Sequence, residues 1–258
     1  MPEPKVTLLT ADLEKDSLPQ GPFDIVIASH SLNELWSNSV SPAQDRDFIE
    51  RAAGKLSSDG LIFLMEPALL TISRNLILLR NLLIQDGYSV VAPCASSFPC
   101  PALQAEGKQT CHAEFFWNVC EPVSSLAAAA GLDRESVKMT FFVFSPPQPD
   151  VASAAVVSAD ALTADAVFNG ILDASAANSG GFVTVVSDAM LNKSGRIRYL
   201  VCDGKKRFAF SAKKDDTAAA AQGFFSLRRY DKIQIKNPEL RGDDGALGFA
   251  PETVIHKI

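Results

Sequence analysis

Apolar residues in the first third of the chain come in short unbroken runs rather than in strict alternation. Lys5-Val-Thr-Leu-Leu9 leads to Thr10-Ala11-Asp12 and reads as a buried strand with an acidic residue at its carboxyl edge. Phe23-Asp-Ile-Val-Ile-Ala28 is a second such strand, set off by Gly21-Pro22, and Leu61-Ile-Phe-Leu-Met65 is a third, running into Glu66-Pro67. Continuous apolar strands fit a parallel sheet covered on both faces. Between them, Ser41-Pro42-Ala43-Gln44 combines an N-cap serine, proline at the first helical position and glutamine at the third. The helix it starts carries Phe48, Ile49, Ala52, Ala53 and Leu56 on one face and ends at Ser58-Asp59-Gly60. A second helix is expected after Thr71, with Ile72, Leu76, Leu79 and Leu83 in one stripe and Gly87 to end it. Tyr88 to Ala92 is a fourth strand. Strand and helix in alternation predict an α/β, doubly wound sheet whose ligands sit at the carboxyl ends of the strands, where Asp12, Ser29, His30 and Glu66 fall.

The pattern then changes. Ser124 to Ala130 reads as a short helix, and Val137 to Phe144 as a strong strand stopped by Ser145-Pro146-Pro147. Residues 149–181 are rich in Ala, Ser, Asp and Val and read as a linker with one helix around Ala161 to Leu172. Beyond it, Phe182 to Val186, Arg196 to Cys202, Arg207 to Ala212 and Lys232 to Ile235 are short β-runs, and Asp203-Gly204 is a hairpin turn. The division is therefore 1–148, a Rossmann-type part with a cysteine-rich segment at 94–120; 149–181, the linker; and 182–258, a small β-rich domain.

Composition alters this picture at two points. The chain of 258 residues carries a net charge of −6, yet half of its Lys and Arg lie between Lys193 and Lys236 against four aspartates. A basic excess on an acidic chain is the footprint of a nucleic-acid contact, and Lys205, Lys206, Arg207, Lys213, Lys214, Arg228 and Arg229 are its candidate residues. Three of five cysteines fall between Cys94 and Cys111 on Pro-containing loops, where thiolates are free to converge on a metal or cluster, although a small buried hydrophobe is the commoner use of a free cysteine. No run approaches the length of a membrane span, and no signal or transit peptide is visible. The expected location is cytoplasmic, or mitochondrial if the natural N-terminus lies upstream in a eukaryotic source. In a reducing compartment such cysteines favour metal over disulfides.

His30-Ser-Leu-Asn-Glu-Leu35, Glu66-Pro67, Ala92-Pro-Cys94, Cys100-Pro101, Cys111-His112 and Cys202-Asp-Gly204, in this order, resemble the methyltransferase-like assembly factors of the mitochondrial small ribosomal subunit and their bacterial relatives. The resemblance implies a partial class I S-adenosylmethionine-dependent methyltransferase sheet, N-terminally truncated, followed by the β-domain. It also implies a four-iron, four-sulfur cluster on Cys94, Cys100, Cys111 and Cys202, with Cys120 the competing fourth ligand and zinc the alternative metal. His112 would pack near the cluster. Small-subunit rRNA and ribosomal proteins are the implied partners. Asp12, Ser29 and His30 match cofactor- and acceptor-side positions, while Asn33 and Glu34 suit loop capping. The Gly-rich turn that binds S-adenosylmethionine has no counterpart here, so methyl transfer is left open beside two other readings: a non-catalytic rRNA-binding factor and a zinc-stapled protein without RNA contact.

Overall fold

The computed structural model describes residues 3, 5–36, 42–94, 96–104, 109–132, 134–147, 181–242 and 245–258. The expected linker helix at 161–172 and the N-cap Ser41 lie outside the described residues.

The first layer is a five-stranded sheet of β1 (Phe23–Ser29), β2 (Leu56–Pro67), β3 (Ser89–Ala92), β4 (Ala113–Phe116) and β5 (Ser136–Ser145). Its order is β1-β2-β5-β3, with β4 also paired to β5. β1 and β2 are parallel and joined through helix α1 (Pro42–Ala53); β5 is antiparallel to β2, β3 and β4. Hence β1, β2 and β3 run one way and β5 runs against them.

Three expectations are corrected. Lys5 to Leu9 form no strand, and Leu8 is 90% exposed, because no neighbouring strand among the described residues pairs with them. Leu56, assigned to the first helix, opens β2 instead, since the helix stops at Ala53 and the chain turns through Gly54. Among the described residues, helices cover the sheet on one face rather than two. Helices α1 and α2 (Leu70–Gln85) lie together over the face formed by Ala28, Ile62, Leu64, Phe142 and Phe144, and their Phe48, Ile49, Leu76, Ile77, Leu79 and Leu83 complete that core. On the opposite face Ile25 and Ile27 are 57% and 65% exposed. Continuous apolarity in β1 therefore reflects one packed and one open side.

Helix α3 (Val123–Ala129) buries none of its residues. The linker is followed by an eight-stranded sheet of β6 (Gly181–Val185), β7 (Met190–Leu191), β8 (Arg196–Cys202), β9 (Arg207–Lys213), β10 (Lys232–Lys236), β11 (Glu239–Arg241), β12 (Ala246–Gly248) and β13 (Val254–Lys257). All four predicted β-runs are present. Their period-2 alternation places Tyr199, Val201, Phe208, Phe210, Ile233 and Ile235 inward. Short helix α4 (Thr217–Ala221), capped by the Asp216 carboxylate on the Ala219 N–H, leads to Phe224, whose ring meets Tyr199, Phe210 and Phe249 at 5.0–6.0 Å.

One buried carboxylate sets a pH dependence. Asp45 on α1 accepts a hydrogen bond from Trp36 Nε1 at 3.1 Å, and burial pushes its carboxyl up to about 6 from 3.8. The native state thus binds the proton more tightly than the unfolded chain. Its contribution to stability is full below pH about 4 and falls as pH rises toward 6. Asp45→Asn should be more stable than the wild type by about 1–3 kcal/mol at pH 8 and lose that advantage at pH 4, as urea denaturation at both pH values will show.

Candidate functional site: a cysteine seam between the two sheets

The described residues between Pro93 and His112 lie outside helix and strand, so their backbone polar groups need partners from elsewhere. Arginines supply them. On α2, Arg80 is fully buried and donates to the carbonyls of Ser96 and Phe98, while its neighbour Asn81 accepts from the Cys100 N–H at 3.1 Å. Two helical turns earlier, Arg74 donates to the carbonyls of Ala102, Leu103 and Gln109 at 3.2, 3.3 and 2.9 Å. From β5, Thr140 Oγ1 donates to Cys111 O at 2.9 Å.

The β-domain grips the same segment from the other side. Arg207 Nη1 donates to Thr110 O at 3.0 Å, and Arg229 Nη1 donates to His112 O at 2.9 Å, so two guanidinium groups bracket Cys111. Arg229 also reaches Val186 O and pairs with Asp188 at 2.6 Å. Ser96 Oγ donates to Gly204 O at 3.3 Å, and Lys205 Nζ lies 4.5 Å above the Phe98 ring. The Asp203-Gly204 turn is as predicted, with Gly204 at φ +91°, and the Asp203 carboxylate accepts from the Lys205 and Lys206 N–H groups.

Burial dominates three of the thiols, and neighbouring cysteines add to it. Burial pushes Cys94 up to about 11, and Cys111 and Cys100 raise it further while Arg80 opposes them. Burial likewise raises Cys100, with Cys111 adding and Arg207 and Arg80 opposing. Cys202 is pushed up to about 12, chiefly by burial, with Cys94 and Cys100 adding and Arg207 opposing. Cys202 therefore joins the group from across 91 residues of sequence after Cys111, whereas Cys120 is exposed at the approach to α3. Among the described residues, no three His, Cys, Asp or Glu side chains form a group that could hold a single metal ion. A tetrahedral zinc would draw its thiolate sulfurs to about 3.8 Å from one another. His112 is half-buried, its imidazole kept below its ordinary pKa by burial and by Arg229.

The remaining predicted residues fall into different settings. Asp12 is exposed and locked in its own turn, paired with Lys15 at 2.6 Å, which holds its carboxyl below the usual carboxylate range. Ser29 ends β1, and His30 follows it at φ +52°, its N–H donating to Met65 O at 2.8 Å. Glu66, buried at the end of β2, accepts from the Ser31 and Leu32 N–H groups and so anchors the loop after β1; burial raises its carboxyl. Asn33 donates to Glu34 within a 3-10 turn. Of the basic set, Arg207 and Arg229 serve the seam, Lys205 and Lys206 are half-buried, and Lys213, Lys214 and Arg228 stand exposed. Arg74, Arg80, Asn81 and Tyr230 were not singled out by pattern. The available signal was Arg80, a single arginine inside the apolar stripe of α2.

Residues 4–140 match the family described as mitochondrial small ribosomal subunit Rsm22. The chain belongs to the Rsm22 family. The Rsm22 match takes in Cys94, Cys100, Cys111 and Cys120, ends within β5, and stops before Cys202 and the basic β-domain. No curated protein matches the chain. Among solved structures, one titled "Structural mimicry for functional antagonism" is matched at 18% identity with a TM-score of 0.24, over 45% of this chain and 57% of that one. The chain thus spans little more than half the length of that structure. No helix among the described residues is long and apolar enough to cross a membrane.

The seam makes a clear demand on α2. Arg80→Met keeps the apolar stem but leaves the Ser96 and Phe98 carbonyls without their donor. It should cost about 2–4 kcal/mol and expose the 94–104 segment to limited proteolysis. Arg228→Met, on the exposed surface, should change stability by no more than about 0.5 kcal/mol.

Proposed function

We propose that this chain is a methyltransferase-like assembly factor of the small ribosomal subunit, in which the β-domain binds rRNA and Cys94, Cys100, Cys111 and Cys202 hold a four-iron, four-sulfur cluster. The observation that carries this reading is the docking of the two cysteine-bearing segments, in which Ser96 Oγ donates to Gly204 O and Arg207 and Arg229 hold the carbonyls on either side of Cys111. A multi-iron cluster, which spaces its ligand sulfurs more widely than a single zinc ion does, would supply bonds that tie the two sheets together. The donor set is chemically apt: sulfur ligands on irregular backbone, with Arg80 and Arg207 favouring the thiolate forms. Burial raises the thiols of Cys94, Cys100 and Cys202, so loading would release protons into solution.

RNA contact falls to the exposed cations of the β-domain, Lys213 and Lys214 at one end of the β8–β9 hairpin and Arg228 on the turn before β10, with the half-buried Lys205 and Lys206 at the hairpin's other end. Arg207 and Arg229 would support that surface by fixing it against the cysteine segment. Phosphate contacts of this kind supply affinity that falls with salt rather than sequence readout.

Two measurements test the reading. Anaerobically reconstituted protein should be brown and contain about four iron atoms per chain. Cys202→Ser should lose that iron and Cys120→Ser should keep it; the reverse would transfer the fourth ligand to Cys120, and zinc in place of iron would favour the zinc-stapled alternative. In filter binding to small-subunit rRNA fragments, replacing Lys213 and Lys214 by Ala should flatten the log–log salt dependence by about 1.5. Absence of salt-dependent binding by the wild type would remove the RNA role. Tight, stoichiometric S-adenosylmethionine binding in calorimetry would instead favour an active methyltransferase.

A further inference from the structure

Tyr230 faces the cysteine group from the β-domain. Its hydroxyl lies 3.9 Å from Cys111 Sγ, a hydrogen-bonding distance for sulfur. We propose that Tyr230 is a positioning residue whose O–H donates to the Cys111 sulfur and raises the reduction potential of the cluster; this rests on the cluster reading above.

Three features hold the hydroxyl in place. Tyr230 has φ +69°, a left-handed conformation that a bulky residue adopts only when its surroundings impose it. Here the turn imposes it: Asp231 N donates to Arg228 O at 3.0 Å, Arg228 N to the Asp231 carboxylate at 2.8 Å, and Tyr230 N to Val185 O at 2.7 Å. The ring packs edge-on against Phe141 of β5, at 5.8 Å and 87°, so it bridges the two sheets. The adjacent Arg229 is clamped on His112 O. The dipeptide Arg229-Tyr230 thus grips the dipeptide Cys111-His112, one residue by its carbonyl and the other by its sulfur.

The chemistry follows from where charge accumulates. A ligating thiolate carries more negative charge when the cluster is reduced, and an O–H directed at it stabilises that state. Hydrogen bonds to cluster sulfurs are among the established determinants of potential. In the measured step one electron passes from dithionite to the cluster; no bond to Tyr230 forms or breaks, and its proton stays on oxygen.

Tyr230→Phe in the full chain keeps the ring on Phe141 and removes only the hydroxyl. After anaerobic reconstitution of both proteins, iron content and near-UV circular dichroism should match, and potentiometric titration should place the variant's midpoint more negative than the wild type's. The iron–thiolate stretching bands in resonance Raman should shift with it. Equal potentials in two fully loaded proteins would overturn this inference and leave the cluster standing. A variant that no longer takes up iron beside a loaded wild type would make Tyr230 structural, which also overturns it. A wild type that takes up no iron would end the cluster reading and this inference together.

Discussion

A segment without helix or strand, buried between two sheets, is stable only if its backbone carbonyls find donors, and in this chain arginine provides them. Arg74 and Arg80 satisfy five carbonyls from the side of α2, and Arg207 and Arg229 satisfy those on either side of Cys111. A guanidinium suits this task because its planar fork presents several donors at once. Cys100 is tied to α2 through its own N–H on Asn81, and Cys111 is placed by contacts from both sheets, while Cys202 is set by β8.

The same interactions divide the basic residues of the β-domain into two populations. Those whose stems run inward along the seam spend their donors on protein carbonyls, and burial of that kind is tolerable because each charge is hydrogen-bonded and faces groups able to become thiolates. Those at the ends of β9 and on the turn before β10, Lys213, Lys214 and Arg228, keep their charges in water.

Local chemistry was legible in the sequence where a single side chain or turn decides the outcome. Asp203-Gly204 turns because glycine accepts a positive φ and aspartate accepts from the next N–H groups; Gly87 ends α2 for the first of these reasons. The alternating strands of the β-domain announced themselves through their period. The first sheet was harder to read. Its apolar runs fit strands covered on both sides, and nothing in Phe23 to Ala28 reveals that Ile25 and Ile27 are exposed, since that depends on which face receives α1 and α2. Lys5 to Leu9 shows the converse: strand composition without a neighbour does not make a strand.

By itself the sequence determined most of the longer elements, the clustering of three cysteines, the basic character of the second half and, through ordered motifs, membership of the Rsm22 family. Those are properties of composition, spacing and local backbone preference, which are carried by neighbouring residues. Only the tertiary structure decided that β5 inserts between β2 and β3, that Cys202 joins Cys94, Cys100 and Cys111 while Cys120 is exposed, and that Tyr230 meets Cys111. These depend on pairs more than 90 positions apart or on strand order, and their energies arise only once both sheets have folded and the seam between them has excluded water.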